Sequence, residues 1–488
     1  MQATALIAIL HSADLYGLRP GDYNADALLA AQTRLCAVAR RCELDERAQF
    51  DLILSTAANR FIHDLHYGRI SPQAAGFDLP AGRADLDVSA AVAALAAASH
   101  VAEAVAAVEP PFFHYALLKA SLARYRNFAA DPSLTALPDL GRRSLHAGDL
   151  YAGAPALRRL LTLLGDMPQV AASQDAATTL TPELLEAIGR FQQRHGLSVD
   201  GALGQQTMAA LTTPLTQRVR QIELTLERWR WVPRFDTPPI LVNIPQFKLF
   251  AFRTPEDRVA NMMAMPVIVG QTYPRTRTPV FVGDLAYVIF RPYWNVPRSI
   301  TTLEMLPAIR AHGDYLRRNN LELVRGQSDD APIVAPTPGA IADLAAGKLR
   351  LRQRPGDDNA LGLIKFVFPN VHDVYMHATP AHNLFLQSRR AFSHGCIRVS
   401  DPVALAVYVL RDSPGGWNDE RVLAAMHAGT TSRVTLAAPI RVMILYGTAL
   451  ATESGQIQFF DDIYGHDRRL ESLLGLEPVH SAVGRSAL

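Results

Sequence analysis

Cysteine is scarce in this chain, with three among 488 residues: Cys36, Cys42 and Cys396. In an exported protein an odd count leaves one pair and one free, reactive thiol. Cys396 is then the free one. Cys36 closes a helical pattern and Cys42 lies in the connection after it, so the two are either disulfide partners or small core residues. A surplus of positive charge is lacking too: 48 Lys and Arg against 46 Asp and Glu give a formal net charge of +2. That leaves no electrostatic argument for nucleic acid as the main partner, whereas an anionic polymer remains compatible. No apolar run is long and unbroken enough to span a bilayer. The opening MQATALIAIL has no Lys or Arg ahead of its apolar run and no small-residue cleavage site after it. It does not read as a signal peptide, so an exported protein is expected here as a mature or truncated form.

What is present is ample apolar content, 49% hydrophobic residues with 19% charged, enough for two or three domains with their own cores. The fold class expected is multidomain α+β. Residues 1–144 are Ala- and Leu-rich with helical spacing, as in LDERAQFDLILSTAANRFIHDLHYGRI, and predict a helical scaffold, continued by residues 213–237. Residues 145–212 form a compact unit ending in LTPELLEAIGRFQQRHGLSVDGALGQQTMAAL. Thr181 reads as an N-cap before Pro182 and Glu183, Gly196 as a left-handed helix stop, and Asp200-Gly201 as a turn before a short helix. From residue 238 to 450 the period becomes strand-like, as in ILVNIPQFKLFAF, VFVGDLAYVIF and VYMHAT, and predicts a mostly β domain. Residues 299–359 interrupt it with helical patterns and Pro-rich turns, an insertion of the kind that forms lids. Residues 451–488 are left as a C-terminal extension.

The chemistry is expected where YMHATP, Tyr375 to Pro380, is followed by SHGCIRVSDP, Ser393 to Pro402. A strand ending in His377 and a Gly-containing turn presenting Cys396 bring an imidazole to a thiol. Cysteine nucleophiles need such a base, because only a few per cent of a free thiol is thiolate at neutral pH. Gly395 allows close backbone approach, and the amides around Gly395 and Cys396 are oxyanion-hole candidates. Asp401 and Pro402 begin a helix that pins the loop from behind. Zinc held by His377, His394 and Cys396 is the rival reading. Against it, a second cysteine or carboxylate at the usual spacing is missing.

These motifs resemble those of the L,D-transpeptidase catalytic domain, also called YkuD, whose signature is a histidine followed by [S/T]-H-G-C. PYWNVPRSI, RQRPGDDNALG and HGCIRVSD are similar to the large Gram-negative branch, which carries a helical scaffold, a peptidoglycan-binding module and a lid. The pattern FQ-x3-G-L-x-V-D-G-x2-G-x2-T-x3-L within residues 145–212 resembles the peptidoglycan-binding module itself, its alternative being a helical bundle with a purely structural role. The resemblance implies a periplasmic enzyme with Cys396 as nucleophile, His377 as base and His394 helping to order the loop, with Gly395 and Ser393 also counted among the catalytic residues. Arg398, where smaller relatives have Asn, is a candidate for holding a substrate carboxylate. Trp294, Asn295 and Tyr375 are substrate-side candidates; for Trp294 and Asn295 the alternative is an aromatic wall and a turn residue. The implied reaction joins peptidoglycan stem peptides in 3→3 cross-links through a cysteine acyl-enzyme, without metal or organic cofactor and with β-lactam carbapenems as inhibitors. A cysteine carboxypeptidase or endopeptidase on the same peptides, or a silent wall-binding protein, is the alternative.

Overall fold

The computed structural model describes residues 2–37, 44–80, 85–141, 143–168, 177–254, 257, 261–273, 276–326 and 328–477. The Cys36–Cys42 pairing lies outside them. The chain forms two compact units, residues 1–234 with 446–488, and residues 235–445.

In the first unit, helices α1 (Gln2–His11), α2 (Ala25–Ala37), α3 (Leu44–Tyr67), α4 (Val88–Ala97) and α5 (Val101–Ala106) close over Leu10, Phe61, Ile62, Leu65 and Val105. Helix α6 (Phe113–Ala129) follows, then a three-helix module of α7 (Ala154–Leu164), α8 (Pro182–Arg194) and α9 (Gln205–Leu211), and then α10 (Leu215–Arg230). The start of α8 forms as its sequence predicts, with Thr181 accepting from the Leu184 amide and proline at N1. Gly196 ends it at φ +67°. The chain re-enters this unit at Tyr446, not at residue 451. Two short strands, Ala449–Ala451 and Ile457–Phe459, pack their alternate side chains with Tyr115, Leu122, Ile222 and Leu226 of α6 and α10. This tail therefore completes a helical core. Its two-residue period continues that of the β domain before it, which hides the crossing from a reading of the sequence.

The second unit is built on a nine-stranded sheet. Its strands are β1 (Ile240–Asn243), β2 (Lys248–Ala251), β3 (Met263–Gly270) and β4 (Val282–Phe290), followed, after a second sheet, by five more. The second sheet comprises β5 (Trp294–Asn295), β6 (Leu321–Val324), β7 (Ile333–Val334) and β8 (Arg350–Gln353). The main sheet then continues with β9 (Ile364–Val367), β10 (Met376–His377), β11 (Ala391–Ser393), β12 (Ile397–Val399) and β13 (Ser432–Leu445). Pairing runs β3-β12-β10-β9-β4-β13-β1-β2 and returns from β2 to β3, so the ladder closes on itself, with β11 beside the far end of β3. Closure leaves few free edges. Pro439 lies where β13 slips its register against β4, between Thr435 and Ile440, since proline has no N–H for the ladder. The second sheet has its own core of Ile300, Leu306, Leu323, Leu344 and Leu351. The 299–359 insertion is therefore mixed: LELV and RLRQ pair as strands beside the helices read from its sequence.

Candidate active site

Register puts the candidate residues on one face. His377 on β10 lies opposite Lys365 of β9 and Arg398 of β12, while Met376 lies opposite Phe366 and Ile397. Side chains alternate along strands, so Phe366, Met376 and Ile397 fill the interior, all fully buried. Lys365, Tyr375, His377 and Arg398 share the other face, with Cys396 two residues before Arg398. The Ile397 amide donates to the Tyr375 carbonyl at 3.0 Å, which holds Cys396 beside Tyr375.

The loop is fixed from three sides. Ser393 Oγ donates to the Cys396 carbonyl at 2.5 Å and accepts from the Gly395 amide at 3.1 Å. Thr278 Oγ1 accepts from the Gly270 amide and donates to the Gly395 carbonyl, both at 2.8 Å. Gly395 has φ +119°, a conformation only glycine takes readily. Its amide, expected to face a bound carbonyl, is thus committed to Ser393. The Cys396 amide makes no hydrogen bond among the described residues.

His377 is buried, and its Nδ1 lies 2.6 Å from the Ala378 carbonyl. A carbonyl only accepts, so this contact assigns a proton to Nδ1, and a backbone hydrogen bond with Leu361 also holds the ring. Burial, then the Arg398 guanidinium, lowers its pKa to about 3; the ring is neutral at physiological pH. The backbone holding it depends on Gly362, at φ +62°, where a Cβ would meet Ala378 Cβ at 2.7 Å.

Cys396 is half-buried. Its thiol donates to the Asp373 carbonyl at 3.7 Å, in a turn tied by the Asn370 side chain to Phe368 O, Val374 O and the His372 amide. Burial pushes the thiol pKa up, while the Tyr375 amide and hydroxyl and the Lys365 ammonium favour the thiolate. Burial also lowers the pKa of Lys365 and Arg398 and raises that of Tyr375 well above the usual phenol range.

His394 Nε2 is 2.7 Å from Glu304 Oε1, a residue of the insertion. Trp294 interacts with the Tyr375 hydroxyl; Asn295 is exposed, on β5 opposite Arg352. Lys365, Asp373, Asn370, Thr278 and Glu304 are absent from the sequence reading. Only Lys365 left a signal there, as a lone cation in the apolar run IKFVF.

Residues 238–424 match the L,D-transpeptidase catalytic domain, residues 1–122 a scaffold domain, and residues 154–211 the "Putative peptidoglycan binding domain". A Haemophilus influenzae protein named "Putative L,D-transpeptidase" is 32% identical over 287 residues, 56% of this chain and 54% of that protein. The match thus spans about half the length of that relative. Among solved structures, an L,D-transpeptidase from Xylanimonas cellulosilytica aligns at 16% identity and TM-score 0.19, covering 64% of this chain and all of that one. A fused Zn-dependent amidase/peptidase and peptidoglycan-binding protein from Clostridium acetobutylicum aligns at 13% and 0.17, over 62% of this chain and all of that one. At such TM-scores neither alignment bears on function.

Proposed function

We propose that this chain, whose residues 238–424 match the L,D-transpeptidase catalytic domain and residues 154–211 a peptidoglycan-binding domain, forms 3→3 cross-links in peptidoglycan through a Cys396 acyl-enzyme. The observation that carries this is the register that sets a neutral His377 on β10 beside Arg398 of β12, two residues after Cys396.

In the proposed reaction His377 Nε2 takes the thiol proton, and Sγ attacks the carbonyl carbon of the third residue of a tetrapeptide stem. The bond to the terminal D-alanine breaks, and that amine leaves with the proton from His377. The Cys396 amide is the donor left to steady the oxyanion. An amine on a second stem then attacks the thioester, returning sulfur to the thiol. Arg398 is a candidate for the donor carboxylate, Trp294 and Tyr375 for the walls of its groove, and Asn295 for its rim. Chemistry on this substrate places the enzyme in the periplasm or at the wall. The insertion, bonded to the catalytic loop through Glu304–His394, acts as a lid that keeps water from the thioester.

Mass analysis of products from purified disaccharide-tetrapeptides tests both parts. The expected products are a cross-linked dimer and free D-alanine, and shortening residues 299–359 in a folded variant should raise the ratio of tripeptide to dimer. Tripeptide alone from the intact chain would make it a carboxypeptidase. An unchanged ratio in the shortened variant would remove the lid.

A further inference from the structure

The active-site face holds two cations that the reaction above does not require to be there before substrate arrives. Lys365 and Arg398 flank His377 on β9 and β12, both half-buried. Elsewhere in this unit Arg352 meets Glu322 at 2.5 Å, while the half-buried Arg277 and Arg390 donate to backbone carbonyls. Lys365 and Arg398 form no ion pair with any described residue, and Arg398 Nε is enclosed without a hydrogen-bond partner. A cation withdrawn from water without a counter-ion keeps the full desolvation cost, so the site is arranged for an anion.

The groups around these cations identify it. Lys365 Nζ stands 3.6 Å from the centroid of the Tyr375 ring, and Tyr375 is fastened beside Cys396 through the Ile397 amide. Cys396 acts electrostatically on both cations. Other charged and titratable groups near the thiol or the ammonium are Asp373 before β10, Asp329 on the insertion, the Tyr375 hydroxyl and His377; His394 is engaged with Glu304. The two aspartates approach Lys365 without closing an ion pair. His377, facing two cations from within the sheet, is a poor site for a lasting positive charge.

We infer that Lys365 is the counter-charge of the Cys396 thiolate, with Arg398 closing the same cationic side of the pocket. Once its proton has left, the sulfur is thus balanced by an ammonium and not by an imidazolium, and His377 only relays the proton. Lys365 acts through Cys396 and is a positioning residue. The inference rests on the reading of Cys396 as the nucleophile.

The test follows alkylation of Cys396 by iodoacetamide in the full chain across pH, read by peptide mass so that Cys36 and Cys42 do not contribute. Lys365→Met and Lys365→Gln should move the midpoint up by about one pH unit or more, the scale of losing a close opposite charge. Lys365→Arg should restore it. An unmoved midpoint in either folded neutral variant overturns the inference. If neither variant folds, the wild-type chain decides. Iodoacetate, an anion, should gain on iodoacetamide at Cys396 relative to the same pair reacting with glutathione, and an equal or lower ratio overturns the inference. Carbapenem acylation separates the two readings: Cys396 acylated without a Lys365 effect defeats only this one, and a Lys365 effect without acylation defeats the transpeptidase.

Discussion

Two regions of this molecule bury polar groups and treat them in opposite ways. In the module of α7, α8 and α9, Gln192 Nε2 donates to Asp200 at 2.7 Å, Thr207 at 2.9 Å and the Ala202 carbonyl at 3.0 Å, and its Oε1 accepts from the Gly201 amide. Arg194 is paired with Asp166, and Arg158 donates to the carbonyls of Ala177 and Thr179. On the active-site face Lys365 and Arg398 have no such partners among the described residues. The same contrast separates two buried histidines. His195 Nδ1 is bonded to the Phe191 carbonyl at 2.9 Å and its ring packs 4.0 Å from that of Phe191, within a core; His377 is anchored at Nδ1 on the candidate active-site face and is the proposed base. The module spends its polar groups on itself, so any ligand it takes must be read by its surface. The candidate catalytic face leaves Lys365 and Arg398 unpaired, an arrangement that costs stability and that, on the proposed function, serves the site.

The sharpest break in this comparison is between the histidines. His377→Ala should lower the rate of acylation by about 10²–10⁴-fold, the scale of a lost general base, while His195→Ala leaves that rate unchanged and lowers only stability. Equal rate losses in stopped-flow acylation would erase the distinction. Next in size is the fate of the polar groups. Gln192→Leu removes the partners of the Thr207 hydroxyl, the Ala202 carbonyl and the Gly201 amide, and should cost about 3 kcal/mol in urea denaturation. Arg398→Met strands nothing, so its stability should stay within about 0.5 kcal/mol of wild type or rise, even as acylation slows. A smaller effect is shared by both regions. His377 has a folded pKa of about 3 and His195 one well below the usual imidazole value, so the unfolded chain binds protons that the folded chain refuses. Stability is therefore full above about pH 6.5 and falls as the pH drops towards the folded values, by up to about 1.4 kcal/mol per pH unit for each ring. His377→Gln and His195→Gln should each flatten that slope between pH 6.5 and 5, seen as a smaller loss of denaturation midpoint. A slope unaltered by both would mean that neither ring is held neutral.

The sequence makes the reactive part legible because nucleophilic chemistry demands particular residue types at short spacing. Ser393, Gly395, Cys396 and His377 stand out for that reason, and Thr181, Pro182 and Gly196 stand out because helix ends demand particular backbone conformations. Lys365 leaves only a lone cation in IKFVF with nothing local to explain it; strand pairing brings it beside His377. Glu304 reaches His394 across 90 residues of chain. Asp373 offers a carbonyl, which no side-chain pattern reports. The Gly395 amide is spent on Ser393, a competition that a motif does not reveal. The module's matched polar groups are equally hidden, because partners such as Arg194 and Asp166 lie 28 residues apart.

The account as a whole turns on one sulfur, and intact-mass analysis after incubation with a carbapenem reads it directly. The expected result is a single adduct on the wild-type chain that maps to the peptide containing Cys396 and vanishes in Cys396→Ala, with Cys36 and Cys42 unmodified. An adduct that survives in Cys396→Ala, or no adduct on the folded wild-type chain, would contradict the assignment of Cys396 as the nucleophile of this enzyme.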